Sequence, residues 1–233
     1  MYNVFMQQYF TNGLVNTNVR IQLEAEVVYH IRKVLRKTDG YVFRIADGSK
    51  KIYEAVLDGN FAIIGNCTNE ENELSTDITV ILSLIKNDKF DYALQKLTEL
   101  GVKRIVPFKA NRSVVKEGKG TNKLDRFRKI VREASEQSHR NIIPEICDFA
   151  DIKDIDKYLS EINLIAYEKE TVNLPSLKTN SVTIVIGPEG GFEDGEVNEF
   201  IKHGFVSVSL GNRILRAETA ALYLTSVIVG ANQ

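Results

Sequence analysis

Short apolar runs alternate with polar residues over the first part of the chain, in the pattern of antiparallel strands. In YVFRIADGSKKIYEAVLDGNFAIIGNC, residues 41–67, Asp-Gly turns separate apolar runs of strand length, which predicts β-hairpins. The segment EAEVVYHIRKVLRK, 24–37, has instead the spacing of an amphipathic helix, with Gly40 beyond its end. The sequence therefore predicts a small β-barrel with one helix over residues 1–70, followed by a polar linker at 68–77.

From residue 78 the pattern changes to buried strands that alternate with amphipathic helices, which is typical of an α/β domain with a mostly parallel sheet. The predicted strands cover 78–85, 102–108, 162–167, 182–187 and 206–210, and the predicted helices cover 89–100, 123–139, a segment from Glu193 to Gly204 and one from Arg216 onward. Such sheets bind ligands at the carboxyl ends of their strands. We therefore expect a second domain over 75–233 with a ligand site at that edge.

Three of these predicted strands end in unusual loops: INLIAYEKE (162–170), VTIVIGPEGGF (182–192) and VSVSLGNRILRAETA (206–220). Glycine after a strand usually forms a turn, so each loop has a structural explanation when it is taken alone. Three such loops in one half of the chain favour a shared pocket that is lined with backbone N–H and C=O groups.

Composition narrows the class of protein. With 43% hydrophobic and 26% charged residues, the chain has the composition of a folded globular protein. It contains no apolar run of about 18 residues, and its start, MYNVFMQQYFTNG, lacks the pattern of a signal peptide. Cys67 and Cys147 cannot form a disulfide framework. These features predict a cytoplasmic protein.

The charge is distributed unevenly along the chain. Residues 101–140 contain 12 Lys and Arg against 4 Asp and Glu, whereas residues 141–233 contain 7 against 14. The basic segment is either a solvated helix face or a surface that binds phosphates.

Common fingerprints of other sites do not fit this chain. GPEGG at 187–191 is not the dinucleotide motif G-x-G-x-x-G, and GKGT at 118–121 lacks the spacing of a P-loop. His30, His139 and His203 have no metal-ligand spacing, and nothing marks a nucleophile elbow. A backbone-lined pocket and a basic segment remain as the candidate functional features.

Two motifs, IGPEGGF (186–192) and LGNRILRAETAALY (210–223), resemble those of the RsmE family, SPOUT-class enzymes that methylate N3 of a uridine in 16S ribosomal RNA. KFDYALQKLTELGVKRIVPF (89–108) and REASEQSHRNIIPEI (132–146) resemble that family's central blocks. The resemblance implies a PUA-like RNA-binding barrel over 1–70 and a SPOUT domain with a trefoil knot over 75–233. It also implies S-adenosylmethionine as cofactor, 16S rRNA or the small ribosomal subunit as partner, and a homodimer without metal.

The resemblance also implies roles for individual residues. The expected cofactor-binding residues are Ala166, Ile186, Gly187, Gly190, Gly191, Leu210, Gly211, Ile214, Leu215 and Thr219. Arg213 and Arg216 are expected to stabilise negative charge on the uracil, and Glu189 and Glu218 are either proton acceptors or structural acceptors for loop N–H groups. The expected RNA contacts are Arg36, Arg112, Lys116, Arg128, Arg132 and Arg140. Gln8 and Asn212 depart from the arginine and proline that are usual in the family.

Two alternative functions remain open from the sequence. One is a SPOUT enzyme that methylates a ribose 2′-oxygen or a guanine, against which the EASEQSHR block and the N-terminal domain argue. The other is a non-catalytic RNA-binding or ribosome assembly factor, against which the intact GPEGG and RILRAETA motifs argue. A binding assay with S-adenosylmethionine discriminates the second alternative from an enzyme.

Overall fold

The computed structural model describes residues 6–47, 49–113 and 122–233, and the chain divides into two compact units. One consists of Met1–Glu73 and Ser135–Ile142, and the other of Leu74–Ala134 and Ile143–Gln233. The sequence-based division had left residues 135–142 with the second domain. They join the first because the Asn141 side chain donates to the backbone carbonyls of Lys50 and Glu70, both at 2.8 Å.

The first unit is built on a five-stranded sheet in the order β1-β3-β4-β5-β2. Its strands are β1 (Gln8–Phe10), β2 (Arg20–Gln22), β3 (Val42–Ala46), β4 (Ile52–Asp58) and β5 (Phe61–Thr68). β1 runs parallel to β3 and the other neighbours are antiparallel. Gly59, with φ +61°, forms the predicted hairpin turn between β4 and β5.

The predicted helix of this unit is present, but only its first half is α-helical. Helix α1 (Ala25–Tyr29) continues as a π-helical turn over His30–Val34. Val27 and Ile31 lie on its buried face and pack in a core with Phe43. Val27 and Ile31 are thus buried as the apolar spacing predicts, whereas Val34 in the π-helical turn is exposed.

The second unit contains a six-stranded, all-parallel sheet in the order β11-β9-β10-β6-β7-β8. Its strands are β6 (Asp77–Ser83), β7 (Arg104–Phe108), β8 (Glu145–Ile146), β9 (Ile162–Ala166), β10 (Ser181–Ile186) and β11 (Val206–Val208). Because β9 lies between β10 and β11, the three loops singled out in the sequence leave the same edge of the sheet.

Helices cover both faces of this sheet. They are α2 (Asn87–Glu99), α3 (Asn122–Gln137), α4 (Asp194–Lys202) and α5 (Ala217–Asn232), with a 3₁₀ helix at Ile152–Tyr158. Successive strand residues point to opposite faces, so Ile184 packs in the core with α2 and α5, whereas Val185 packs in the core with α4. Across the described residues, no helix combines the length and apolarity that a membrane crossing needs. The predicted mixed α/β class is confirmed.

Candidate functional site

A cavity of about 370 Å³ lies where the loops after β9, β10 and β11 meet, at the carboxyl edge of the parallel sheet. Eight of the ten predicted cofactor-binding residues line it: Ala166, Ile186, Gly187, Gly191, Leu210, Gly211, Ile214 and Leu215. Gly190 and Thr219 are not among its lining residues. The three motifs, far apart in sequence, are thus brought together as expected.

Three small residues contribute to the lining of this cavity. Ala217 and Ala220, from the first turn of α5, line it together with Gly187. A Cβ atom added at Gly187 would lie 3.1 Å from the ring of Phe192, which is itself buried against Phe108 and Phe200. A larger side chain at this position would therefore have to displace a packed aromatic cluster.

Gly191 is required by its backbone and by its surroundings. It adopts φ +67°, and its N–H donates to the carbonyl of Pro188 at 2.9 Å, which closes a tight turn. A Cβ added here would lie 2.5 Å from Oε1 of Glu168. The GPEGG turn is therefore approached by a carboxylate from the loop after β9.

That neighbouring loop is held in place by Asp194, the first residue of α4. The Tyr167 hydroxyl and the Lys169 ammonium both donate to Oδ1 of Asp194, each at 2.6 Å. The bond from Lys169, and then that from Tyr167, holds the pKa of Asp194 below its usual value. Sequence reasoning missed Asp194, because its partners lie 25 and 27 residues away along the chain.

The two predicted acidic residues have structural contacts. Glu189 accepts a hydrogen bond from the backbone N–H of Lys86 at 3.1 Å, and Lys86 is the N-cap of α2 without a side-chain cap of its own. Glu218 is buried in the first turn of α5, 3.7 Å from the Lys89 ammonium. Neither lines the cavity. The contact of Glu189 therefore supports the role of a structural acceptor for a backbone N–H group, whereas the contact of Glu218 is an ion pair.

The two predicted catalytic arginines are both exposed. Arg213 lines the cavity, whereas Arg216 is the N-cap of α5 and follows the lining residue Leu215. Within the part of the chain that the structure describes, neither guanidinium makes a hydrogen bond or an ion pair. Both positive charges are thus available to a ligand.

The predicted RNA contacts have different environments. Arg36 and Arg128 are exposed, and Arg128 pairs with Asp125 at 3.0 Å. Arg132 is partly buried, and Lys116 lies outside the described residues. Arg112 donates to the carbonyl of Gly190 at 3.3 Å, so it supports the glycine-rich turn.

One expected RNA contact, Arg140, needs correction, and Gln8, which replaces the family's usual arginine, has a structural contact. Arg140 is only 3% exposed, and its guanidinium pairs with Glu73 at 2.5 Å, so it is not available to a phosphate. Gln8 is fully buried and donates to the backbone carbonyl of Arg140 at 2.7 Å. Both residues fasten the segment Ser135–Ile142 to the first unit.

Metal ligation has no support in the described ranges, where no group of three or more His, Cys, Asp or Glu residues could hold an ion. A parallel α/β sheet with a small, glycine-lined cavity at its carboxyl edge instead defines a protein that binds an organic cofactor or substrate.

Comparison with known proteins specifies this class. The family model of the RNA methyltransferase domain matches residues 72–229. Ribosomal RNA small subunit methyltransferase E of Bacillus subtilis is 33% identical, with 96% of each chain covered. The enzyme of that name from Mesomycoplasma hyopneumoniae is also 33% identical. The similarity covers 96% of this chain and 97% of that enzyme. The chain therefore belongs to the RNA methyltransferase family, within the group of ribosomal RNA small subunit methyltransferases E, as its motifs predicted.

Solved structures agree with this assignment. A putative methyltransferase from Legionella pneumophila, in complex with S-adenosylmethionine, superposes with a TM-score of 0.91 at 28% identity and covers 98% of both chains. The ribosomal RNA small subunit methyltransferase E of Neisseria gonorrhoeae, also bound to S-adenosylmethionine, gives a TM-score of 0.88 at 29% identity over 96% of both chains. The predicted cofactor is therefore the one that these neighbours bind.

Proposed function

We propose that this protein transfers a methyl group from S-adenosylmethionine to N3 of a uridine in the 16S RNA of the small ribosomal subunit. The observation that carries the proposal is the convergence of the loops after β9, β10 and β11 on one cavity. The curated relatives at 33% identity are named as methyltransferases of small-subunit ribosomal RNA.

The cavity suits a nucleoside cofactor. Its volume of about 370 Å³ falls within the usual range for small-molecule sites. The backbone of Gly187, Leu210 and Gly211 would hydrogen-bond the adenine, and the side chains of Ile186 and Leu215 would cover its faces. When bound, S-adenosylmethionine supplies an electrophilic methyl group on a positively charged sulfur.

The protein must also prepare the nucleophile. Uridine N3 carries a proton at neutral pH, so methylation requires its anion to be stabilised. Arg213 and Arg216 carry unpaired positive charge at and beside the cavity, where they would stabilise negative charge on the uracil oxygens. The remaining contribution is alignment of the reacting atoms.

Replacing Arg216 with alanine tests this role. Because Arg216 does not line the cavity, we expect unchanged S-adenosylmethionine affinity by calorimetry. The turnover number should fall by about 100-fold, the usual loss when one electrostatic donor is removed. Lys202→Ala, an exposed position paired with Glu199, is the control and should retain the wild-type rate. An unchanged rate in Arg216→Ala would remove Arg216 from the mechanism.

We infer a PUA-like RNA-binding role for the first unit, a trefoil knot in the loops around the cavity, and a homodimer in the cytoplasm. The dimer has support from Tyr92 on α2 and Tyr223 on α5, helices that pack together and leave both tyrosine residues 46% exposed. Light scattering should give twice the chain mass of 26.3 kDa; the mass of a single chain would contradict the dimer.

The activity itself is tested with small subunits from cells that lack this gene. Purified protein and labelled S-adenosylmethionine are added, either to assembled subunits or to naked 16S RNA, and the nucleosides are analysed by mass spectrometry. The proposal requires labelled 3-methyluridine from one of the two substrates. Label on a ribose or a guanine would establish the first alternative, and cofactor binding without transfer to either substrate would favour the non-catalytic factor.

A further inference from the structure

The Glu168 carboxylate is an unassigned charge at the cofactor cavity. It lines the cavity and, within the described residues, accepts no hydrogen bond and forms no ion pair. Its neighbour Glu170 also lines the cavity, but Oε1 of Glu170 accepts from the backbone N–H groups of Thr171 at 2.8 Å and Val172 at 3.3 Å. Glu170 therefore has a structural use that Glu168 lacks.

The side chains of the residues on both sides of Glu168 are held by hydrogen bonds. The adjacent residues Tyr167 and Lys169 each bond to Asp194 at 2.6 Å. The carboxylate itself lies over Gly191, where an added Cβ would be 2.5 Å from Oε1. A glycine with φ +67° thus leaves room for this carboxylate beside the GPEGG turn.

The charge balance of the cavity indicates what Glu168 would bind. Lys169 also lines the cavity, but its ammonium is already paired with Asp194, and the Arg213 guanidinium forms no ion pair with Glu168. Glu168 is exposed to incoming ligand where it lines the cavity, and an unpaired carboxylate there favours a positive partner. S-adenosylmethionine carries two such groups, the sulfonium and the ammonium of its methionine part.

We propose that Glu168 is a cofactor-binding residue that pairs with a positively charged group of S-adenosylmethionine. This inference rests on the proposed function, because it assumes that the cavity is the cofactor site. The loop after β9 would then help to select a positively charged cofactor through the Glu168 side chain. The glycine-rich turns are expected to bind the cofactor through backbone groups.

The test is calorimetric titration of wild-type protein and Glu168→Gln with three ligands. S-adenosylmethionine has both cations, S-adenosylhomocysteine has only the ammonium, and 5′-methylthioadenosine has neither. Glutamine preserves the size of the side chain and removes its charge. Two variants serve as comparisons: Glu170→Gln, in the same loop, and Glu199→Gln, on the outer surface of α4 and paired with Lys202.

Glu168→Gln should weaken S-adenosylmethionine binding by about tenfold, the effect of losing one charge-assisted hydrogen bond, and leave 5′-methylthioadenosine binding unchanged. An equal loss for S-adenosylhomocysteine identifies the ammonium as the partner, and a loss confined to S-adenosylmethionine identifies the sulfonium. Less than a twofold change, an equal loss for 5′-methylthioadenosine, or the same loss in Glu170→Gln would overturn the inference. If the wild-type protein binds none of the three ligands, the proposed function fails instead.

Discussion

At the scale of single residues, Gly191 connects backbone conformation to the cavity that we propose as the cofactor site. Its φ of +67° disfavours any residue with a side chain, and the neighbouring space is filled by Glu168. The glycine is thus needed for two independent reasons, and both concern the same cavity.

We expect Gly191→Ala to lower the free energy of unfolding by about 1–2 kcal/mol, the cost of a left-handed conformation for alanine. It should also weaken S-adenosylmethionine binding, because the new methyl group displaces the Glu168 carboxylate. Urea unfolding and calorimetry measure the two effects. Gly195→Ala in α4 is the matched control: its Cβ meets no atom within 4 Å, and it should stabilise the protein by about 0.5–1 kcal/mol. Equal stability of the two variants would contradict this account.

His139 makes the stability of the first unit dependent on pH. Burial, and then the charge of Arg44, lowers its pKa below the ordinary value, while Glu70 opposes the shift. Nδ1 of His139 lies 3.3 Å from Nη1 of Arg44, so the neutral imidazole accepts from the guanidinium. Because the folded-state pKa is depressed, the stabilisation is complete above the unfolded pKa of about 6.5 and is lost as the pH falls through the folded value.

The expected result is a free energy of unfolding that falls between pH 7 and pH 5. His139→Asn should reduce this dependence, since asparagine does not titrate and tolerates the φ of +56° found here. Denaturant unfolding at several pH values measures the slopes. Identical slopes for the two proteins would assign the pH dependence to other groups.

At the scale of elements, Glu189 joins the loop after β10 to the start of α2 through the Lys86 N–H. A structural acceptor and a proton acceptor respond differently to substitution. Glu189→Gln keeps an acceptor oxygen but cannot take a proton, so we expect wild-type stability and turnover. Glu189→Ala should lose about 0.5–1.5 kcal/mol of stability, the net value of one hydrogen bond. A large fall in the turnover of Glu189→Gln would show instead that Glu189 accepts the proton.

Elements with strong periodicity were predictable from the sequence. The strands around 162–166 and 181–186 and the helices α2 and α4 lie where the apolar spacing placed them, because each buries a regular face. β8 has two residues, too few to show a period. The 3₁₀ helix at Ile152–Tyr158 was also missed, although Asp151 and Asp154 form a capping box there.

The limits of prediction at the site have a physical origin. Glycines and motif residues could be located in the sequence, because turn chemistry is local. Asp194 could not, since its function depends on side chains brought near by the sheet order. Arg140 was expected to contact RNA from its sequence position, but tertiary burial gives it a structural partner in Glu73.

At the scale of the whole molecule, the basic segment 101–140 does not translate directly into a binding surface. Arg140 is neutralised by Glu73, and Arg112 supports the Gly190 turn and lies 3.6 Å from Glu193. Arg128 is exposed but pairs with Asp125 at 3.0 Å, and Arg36, which is also exposed, lies outside this segment. The count of Lys and Arg in the sequence thus overestimates the number of cations that are free to bind phosphate. Fewer of the expected RNA contacts are available than the composition suggested.

The central claim is that this chain methylates a uridine of 16S ribosomal RNA with the cofactor cavity formed by its three loops. The most direct measurement is mass-spectrometric nucleoside analysis of 16S RNA from cells that lack the gene, with and without a restored wild-type copy. We predict that 3-methyluridine is absent without the gene and returns with it. Undiminished 3-methyluridine in the cells that lack the gene would contradict the account.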